Sequence, residues 1–414
     1  MSSRSVRKVK RKLKGKAKVF LLFIVLALIG FGIYYAYNND LLFNEKNDVK
    51  EPKKEEKKEE IKQPKEYKAS IFMVGDALIH WGVYNDALVN GVYDFKPMLQ
   101  YIKPISSKYD LAYYNQETIL GGESLGYSSY PRFNSPQEVG DAFIDAGFNM
   151  VSLATNHTMD KGEQGVLNSV QYWKNHPEVA ASGQWSSYED RAESIAKVYE
   201  VNNIKYAFIS YTIWNNGLPT PYGKDYLNSE YSEEKAKADI ESVRDKVDFV
   251  IVAMHWGTEY SFRVDYKQEE IANYLSSLGV DLIIGAHPHV IQTVESINEG
   301  KTFVVYSLGN FISDQDDIDN FTGLAFEVTL RKYVDVDDSV TNSIVDPKAE
   351  LVYTTTVKRG GVNHEFRVIP YPQLNNYQLP NYSTYYEKYK AIVNERYPDL
   401  HWGLTWEWFH GNIK

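Results

Sequence analysis

The sequence contains no cysteine. Disulfides and thiolate nucleophiles are therefore excluded, and any metal site must use oxygen and nitrogen donors. The first 18 residues contain no acidic side chain, although nine of them are Lys or Arg (Arg4, Arg7, Lys8, Lys10, Arg11, Lys12, Lys14, Lys16 and Lys18). Elsewhere it is basic charge that is scarce. The formal net charge of the 414 residues is -10, and outside the first 18 residues 36 basic groups face 55 acidic ones, a balance of -19. A body that acidic excludes non-specific binding to nucleic acid through its phosphates. No internal repeat is evident, and long apolar runs are lacking with one exception.

The exception is Val19 to Tyr37, which carries no charged residue. As a helix it would span roughly 28 Å, close to the ~30 Å hydrocarbon core of a bilayer. The basic run before it predicts a cytoplasmic N-terminus, with Tyr34, Tyr35 and Tyr37 at the far interface. A cleaved signal peptide is the alternative. Tyr35-Ala36-Tyr37 is too bulky for a small-x-small cleavage site, and the run exceeds a typical h-region, which favours an uncleaved anchor. Residues 1–18 thus read as a cytoplasmic basic tail and 19–37 as a single-pass membrane anchor. Residues 38–68 read as a disordered charged linker. Its stretch Asn44 to Lys68 is rich in Lys, Glu and Pro and has too little apolar surface to offset the entropy of ordering. Residues 69–414 read as an extracytoplasmic domain. With 43% hydrophobic residues and 33 Tyr in the chain, core material is ample.

Short continuous apolar runs alternate with helical patterns across this domain. Ile71 to Val74, Leu111 to Tyr114, Met150 to Ala154, Phe249 to Met254, Asp281 to Gly285 and Phe303 to Tyr306 are predicted strands. Ser135 to Ala146, Gly165 to Trp173, Ser232 to Val247 and Gln268 to Leu278 are predicted helices, and Val198 to Ser210 is a hairpin turning at Asn202-Asn203. Unbroken apolar strands fit sheets covered on both faces, so the fold class is α/β. Beyond residue 320, Leu324 to Leu330, Ala349 to Val357 and Glu365 to Ile369 read as antiparallel strands, followed by a helix over Ser383 to Glu395. Trp402, Trp406, Trp408 and Phe409 form an aromatic tail that packs on the core or docks on glycan or lipid.

Polar groups close the strands one after another: Gly75-Asp76 with His80, Asn115-Gln116-Glu117, Asn156-His157, His255, and Gly285-Ala286-His287-Pro288-His289. In parallel-strand folds, function collects at the carboxyl ends of strands. Asp76 is a hard oxygen donor or the cap of a Gly-Asp turn. His80 shares a helical face with Asp76 as a second ligand, or is a satisfied structural histidine. Glu117 is a bridging carboxylate or an exposed loop residue, and Asn115 can orient it. Asn156-His157 is a ligating amide beside an imidazole acid whose tautomer Asp160 would fix, or an Asx-turn. His255 is a ligand or a lone structural histidine. The aromatic and acidic loop after it, with Trp256 and Glu259, suits a binding mouth. Pro288 would hold His287 and His289 at a set spread. Ser307 to Phe311, containing Asn310, is a substrate-side loop or a turn. Asn115, Trp256, Glu259 and Asn310 are the candidate substrate contacts.

Asp76, His80, Glu117, Asn156, His255, His287 and His289 make up the ligand set that a two-metal hydrolytic centre needs. Two divalent ions about 3.5–4 Å apart would share Glu117. Manganese, zinc or iron suits such mixed ligation, and calcium suits it poorly. The matching chemistry is hydrolysis of an ester or phosphoester, with His157 as acid for the leaving group and Asp160 behind it.

This ordered series, with Thr158 to Gly162, Trp256 to Tyr260 and Tyr306 to Phe311, resembles the bacterial capsule synthesis proteins of the CapA type, also called polyglutamate capsule biosynthesis proteins. The resemblance covers about residues 69 to 315. It implies the calcineurin-like metallophosphatase superfamily and its four-layer α/β/β/α sandwich, here preceded by one transmembrane helix. It further implies that Asp76 and His289 serve one metal, that Asn156, His255 and His287 serve the other, and that Glu117 lies between them with His157 as acid. The chain departs from metallophosphatases in two ways: His80 stands four residues after Asp76 where Asp-x-His is usual, and Glu117 stands where Asp is usual.

The family resemblance implies a part in making or exporting poly-γ-glutamate at the cell surface. Two readings follow. One is a membrane-anchored, extracytoplasmic hydrolase of phosphoesterase type. The other is a non-catalytic accessory subunit that binds nascent polyglutamate, or a membrane polyglutamate ligase or export complex, through the same cleft.

Overall fold

The computed structural model describes residues 3–38 and 62–404, with side chains from Lys18 onward in the first segment. Most of the expected linker, and Trp406, Trp408 and Phe409 of the aromatic tail, lie outside the described residues. The chain divides into two units, Met1–Ile61 and Lys62–Lys414.

In the first unit the basic and apolar segments form one continuous helix, α1 (Ser3–Asn38). Its part Lys18–Asn38 is 21 residues long with none of its apolar window buried, and by length and composition it can cross a membrane. At 1.5 Å per residue it measures about 31 Å.

In the second unit the strands run β1 (Lys65–Ala77), β2 (Leu111–Gln116), β3 (Met150–Ser152), β4 (Ala180–Ser182), β5 (Tyr199–Val201), β6 (Ile204–Thr212) and β7 (Phe249–His255). They continue with β8 (Leu282–Ala286), β9 (Val294–Ile297), β10 (Thr302–Val305), β11 (Asn310–Ile312), β12 (Thr322–Val334), β13 (Val340–Arg359) and β14 (Val362–Pro370). The first sheet has the order β14-β13-β12-β1-β2-β3-β4, with β11 beside β1. The second has the order β9-β10-β8-β7-β6-β5. In each, a parallel centre carries antiparallel strands outside it: β12 on β1 in the first, β9 and β5 at the edges of the second.

Alternation of side chains across these strands builds three apolar layers. Ile71, Met73 and Tyr113 of the first sheet meet Phe208, Ile251, Ala253 and Ile284 of the second in a shared core. On the outer face of the first sheet, Phe72, Val74, Ala112 and Tyr114 pack with Val139 and Phe143 of α2 (Glu138–Asp145). On the outer face of the second, Ile209, Val250, Val252 and Ile283 pack with Ile240 and Val243 of α3 (Glu233–Val243) and Ile271 and Leu275 of α4 (Tyr266–Ser277). The result is the four-layer α/β/β/α sandwich that the family resemblance implies.

Several local signals act as their residue types require. Asn202 and Asn203, with φ of 49° and 64°, make the tight turn between β5 and β6. A capping box opens α4, where Asp265 and Gln268 bond reciprocally, and Ser232 caps α3 by accepting from the Lys235 N–H. The fold begins earlier than composition suggests. Lys65 to Lys68, read as linker, pair with Val334 to Arg331 along β12, because a polar segment can extend a strand whose neighbour offers free backbone groups. Strand β4 and the helix Tyr188–Ile195 were not anticipated, being short and weakly apolar. Trp402 packs on Tyr386, and its Nε1 donates to Asn394 Oδ1 at 2.9 Å, which anchors the start of the aromatic tail on the core.

Glu350 of β13 is buried, and burial pushes its carboxyl up to about 7, although the Leu351 N–H donates to it at 2.8 Å. The folded state therefore keeps a proton that the unfolded chain loses at a pH near 4.5, so stability falls as pH rises from there to about 7. Glu350→Gln is expected to raise the unfolding free energy by about 2–3 kcal/mol at pH 8 and to leave it nearly unchanged at pH 4. Urea denaturation at the two pH values measures this, and an equal effect at both would contradict it.

Candidate metal centre

The parallel strands of both sheets deliver polar residues at or just past their carboxyl ends. Asp76 lies near the end of β1, opposite Asn115 of β2 and Asn310 of β11. Glu117 follows β2 directly. His255 ends β7, opposite Ala286, the last residue of β8. Two glycines allow the approach. A Cβ on Gly75 would lie 1.8 Å from the Gly309 carbonyl oxygen, and the Asp76 N–H donates to that oxygen at 2.9 Å. A Cβ on Gly285 would lie 1.9 Å from the Tyr306 carbonyl oxygen.

Beyond β8 the backbone turns through conformations that side-chain-bearing residues rarely adopt: φ is 98° at His287 and 60° at His289. Three hydrogen bonds hold this turn. The His287 N–H donates to Asp76 Oδ2 at 3.3 Å, the Tyr260 N–H to the Pro288 carbonyl at 2.7 Å, and Asn320 Nδ2 to the His289 carbonyl at 3.1 Å. The strain aims both rings inward, with centroids 5.8 Å apart and the His255 ring 4.7 Å from that of His287.

The donor atoms converge in groups whose members lie within 4.8 Å of one another: Asp76, Glu117 and His289; Glu117, His255 and His287; and Glu259, His287 and His289. Glu117 belongs to two of them. Its Oε1 lies 3.7 Å from His255 Nε2 and 3.7 Å from His289 Nε2, too far for a hydrogen bond. Both oxygens of this carboxylate are buried and accept no hydrogen bond, and His287 Nδ1 is likewise buried without a partner. Asn156 Oδ1 is 3.0 Å from His255 Nε2, which brings the amide to the second group. A buried carboxylate left bare among imidazoles costs several kcal/mol unless a cation joins it. Oxygen and nitrogen donors at these spacings, without sulfur, fit a divalent transition metal.

Without a cation the electrostatics are unbalanced. Burial raises the Glu117 carboxyl well above the usual carboxylate range. Burial lowers His255 far below the usual imidazole range and takes His287 down to about 3, so both are neutral and have lone pairs to offer. For His289 burial acts downward too, but the Glu117 and Asp76 carboxylates outweigh it and bring the group up to about 9.

His157 stands beside the cluster. Its Nδ1 is 2.7 Å from Asp160 Oδ2, which also accepts from the Phe133 N–H at 2.6 Å. Phe133 meets the His157 ring edge-on at 4.6 Å. A cavity of about 410 Å³ opens over His157 and His289, walled in part by His80, Arg132, Asn216, Glu259 and Tyr260.

Of the residues singled out in the sequence, the structure brings together Asp76, Glu117, Asn156, His255, His287 and His289, with His157 and Asp160 adjoining. His80 is not among the grouped donors. Its Nδ1 faces the Leu78 carbonyl and the Asp314 N–H, because the chain after Asp76 runs extended to Ala77 and the helix starts only at Trp81. Among the candidate substrate contacts only Glu259 lines the cavity. Trp256 is fully buried in the outer layer, its Nε1 donating to the Tyr306 carbonyl at 2.9 Å. Asn115 sits behind the cluster, donating to Asp76 Oδ1 at 2.8 Å and accepting from Ser152 Oγ at 2.5 Å. Asn310 braces His289 Nδ1 at 3.0 Å. The sequence reading missed Asn216, whose Nδ2 lies 3.5 Å from both ring nitrogens of His157 and whose Oδ1 accepts from Asn156 Nδ2 at 3.3 Å. Asn216-Gly217 is a turn signal, and nothing in it points to a site.

Comparison with known proteins gives a consistent set of likenesses. The family described as bacterial capsule synthesis protein PGA_cap matches residues 70–315. The chain is 26% identical over 268 residues to the capsule biosynthesis protein CapA of Bacillus anthracis, covering 62% of each. It is 31% identical over 179 residues to the PGA biosynthesis protein CapA of Bacillus subtilis (strain 168), covering 41% of this chain and 44% of that one. The aligned part thus spans less than two thirds of the length of either relative. Among solved structures it is similar to the calcineurin-like phosphoesterase YfkN from Bacillus subtilis, with TM-score 0.43, 13% identity, and coverage of 69% of this chain and 91% of that chain. It is also similar to a phosphatase from Mycoplasma pneumoniae, with TM-score 0.42, 15% identity, and coverage of 69% and 94%.

Replacing the carboxylate common to two groups tests the cluster. Glu117→Gln keeps the shape and removes the charge, and is expected to weaken manganese or zinc binding at least about tenfold. Elemental analysis after equilibrium dialysis measures it. Unchanged metal content would place the ions elsewhere.

Proposed function

The chain belongs to the bacterial capsule synthesis protein family PGA_cap, and from that premise we propose that it is a membrane-anchored, extracytoplasmic hydrolase of phosphoester type with a two-metal centre, acting in capsule polymer biosynthesis. The observation that carries this reading is the bare, buried carboxylate of Glu117 between two sets of donors. Asp76, Glu117 and His289 would hold one divalent ion. Glu117, His255 and His287, with Asn156, would hold the other. Manganese, zinc and iron suit this set. Bound there, the ions supply an activated water and polarise the ester under attack.

The chain's own residues do the rest. Asp160 accepts from His157 Nδ1, so it fixes the tautomer and leaves Nε2 to serve the leaving oxygen. Phe133, packed edge-on against the ring, keeps it from turning. Asn115 and Asn310 hold Asp76 and His289 in place from behind. The apolar span of α1 supports membrane attachment, and the basic residues before it support a cytoplasmic N-terminus. Poly-γ-glutamate and a membrane polyglutamate ligase or export complex are the partners this role calls for.

Family membership also supports a second reading, in which the cleft binds polymer and does not turn it over. Full-length protein in detergent, loaded with manganese, separates the two. The hydrolase reading expects turnover of bis(p-nitrophenyl) phosphate, a drop in kcat of about 10²–10⁴ in His157→Ala, and unchanged metal content in that variant. Metal bound without any turnover in the unmodified chain would support the accessory subunit instead.

A further inference from the structure

The cavity beside the cluster has one permanently charged cation in its wall, Arg132. This is unexpected in a body where acidic groups outnumber basic ones 55 to 36. Most cations with described side chains lie near a carboxylate, as Arg191 does with Asp239, Arg244 with Asp281 and Lys224 with Glu163. Arg132 has no ion pair among the described residues, although Glu259 lines the same cavity.

The loop that carries Arg132 is built as part of the site. Ser128 and Asn134 pair across it, the Arg132 N–H donates to the Ser129 carbonyl at 3.2 Å, and Ser128 Oγ donates to the Arg132 carbonyl at 2.6 Å. Asn134 is fully buried, and its Nδ2 donates to the Gly122 and Gly126 carbonyls at 2.9 and 3.0 Å. The next residue, Phe133, donates its N–H to Asp160, the carboxylate that holds His157, and its ring lies edge-on to both His157 and His80. The backbone under Arg132 is therefore fixed to the imidazole acid by one residue of chain.

An exposed guanidinium without an ion pair, carried on a held backbone at the edge of a cavity otherwise walled by imidazoles, amides, aromatics, a few apolar side chains and one carboxylate, can receive an anion. We propose that Arg132 holds a second anionic group of the substrate, phosphate or carboxylate, while the reacting ester lies at the Asp76–Glu117–His289 cluster, so that the cavity selects substrates with two anionic groups over those with one. This rests on the hydrolase reading and gives it a substrate class: esters flanked by a further phosphate or carboxylate.

Binding of inert analogues tests the proposal without relying on turnover. Manganese-loaded full-length chain is titrated calorimetrically with propylphosphonate, with α,ω-alkanediphosphonates of two to five methylenes, and with ω-phosphonocarboxylates of the same lengths. At least one two-anion series is expected to bind about tenfold or more tightly than propylphosphonate. Which series gains distinguishes phosphate from carboxylate as the second group. Arg132→Gln is expected to reduce the advantage to about twofold or less, with propylphosphonate affinity and metal content unchanged, while Arg132→Lys keeps part of it. An advantage that persists in Arg132→Gln, or no advantage in the unmodified chain, overturns the proposal. If propylphosphonate still binds in those cases, the hydrolase reading stands without it. Failure to bind any phosphonate would bring down both.

Discussion

Glu117 is the constraint around which the site is arranged. Its carboxylate is buried, both oxygens lack a hydrogen bond, and two imidazole nitrogens stand 3.7 Å from Oε1. In the surrounding protein the charge of His289, a group which the Glu117 and Asp76 carboxylates bring up to about 9, offsets that burial in part, without a hydrogen bond to Glu117. Donors and backbone N–H groups normally gather around a buried carboxylate, as the Phe133 N–H and His157 do around Asp160. At Glu117 they are replaced by further acceptors, by the His255 and His287 imidazoles that burial keeps neutral, and by a His289 ring too distant to hydrogen-bond. A set of groups that cannot satisfy one another is a site that a cation completes.

The fold produces this by setting the carboxyl ends of two parallel sheet centres side by side. The first sheet contributes Asp76, Glu117 and Asn156, the second contributes His255, His287 and His289, and the shared apolar core between the sheets fixes their separation. Two features show what close approach demands. Gly75 and Gly285 stand where any Cβ would collide with a carbonyl oxygen. His287 and His289 adopt positive φ, a strained choice that the bonds to Asp76, Tyr260 and Asn320 sustain. Stability is spent here on aiming rings, and the rest of the sandwich, with continuous buried strands on both sides, supplies it.

Much of this was legible in the sequence because parallel strands have a simple signature: an unbroken apolar run closed by a polar residue. Asp76, Glu117, Asn156, His255, His287 and His289 all announced themselves that way, and all converge. His80 was misplaced because i, i+4 spacing implies a shared face only within a helix, and residues 76 to 80 are not helical. Trp256 follows His255 directly, and adjacent residues on a strand point to opposite faces, whereas Asn115 and Asn310 pair beside Asp76 on neighbouring strands and bond to the ligands Asp76 and His289. They ended in the outer layer or behind the ligands. Asn216 and Arg132 could not be found at all. Each sits in a loop whose path depends on tertiary contacts, and neither directly closes a strand. The start of β1 at Lys65 was hidden for a related reason, since backbone pairing with β12, not side-chain burial, orders those residues.

The central claim is that cations complete the cluster at Glu117. Anomalous diffraction at the manganese edge, from crystals of the manganese-loaded protein, tests it most directly. The account predicts two peaks about 3.5–4 Å apart, each within about 2.3 Å of a Glu117 oxygen, one beside Asp76 and His289 and the other beside His255 and His287. Peaks elsewhere, or a Glu117 side chain hydrogen-bonded to its imidazole neighbours with no metal between them, would contradict it.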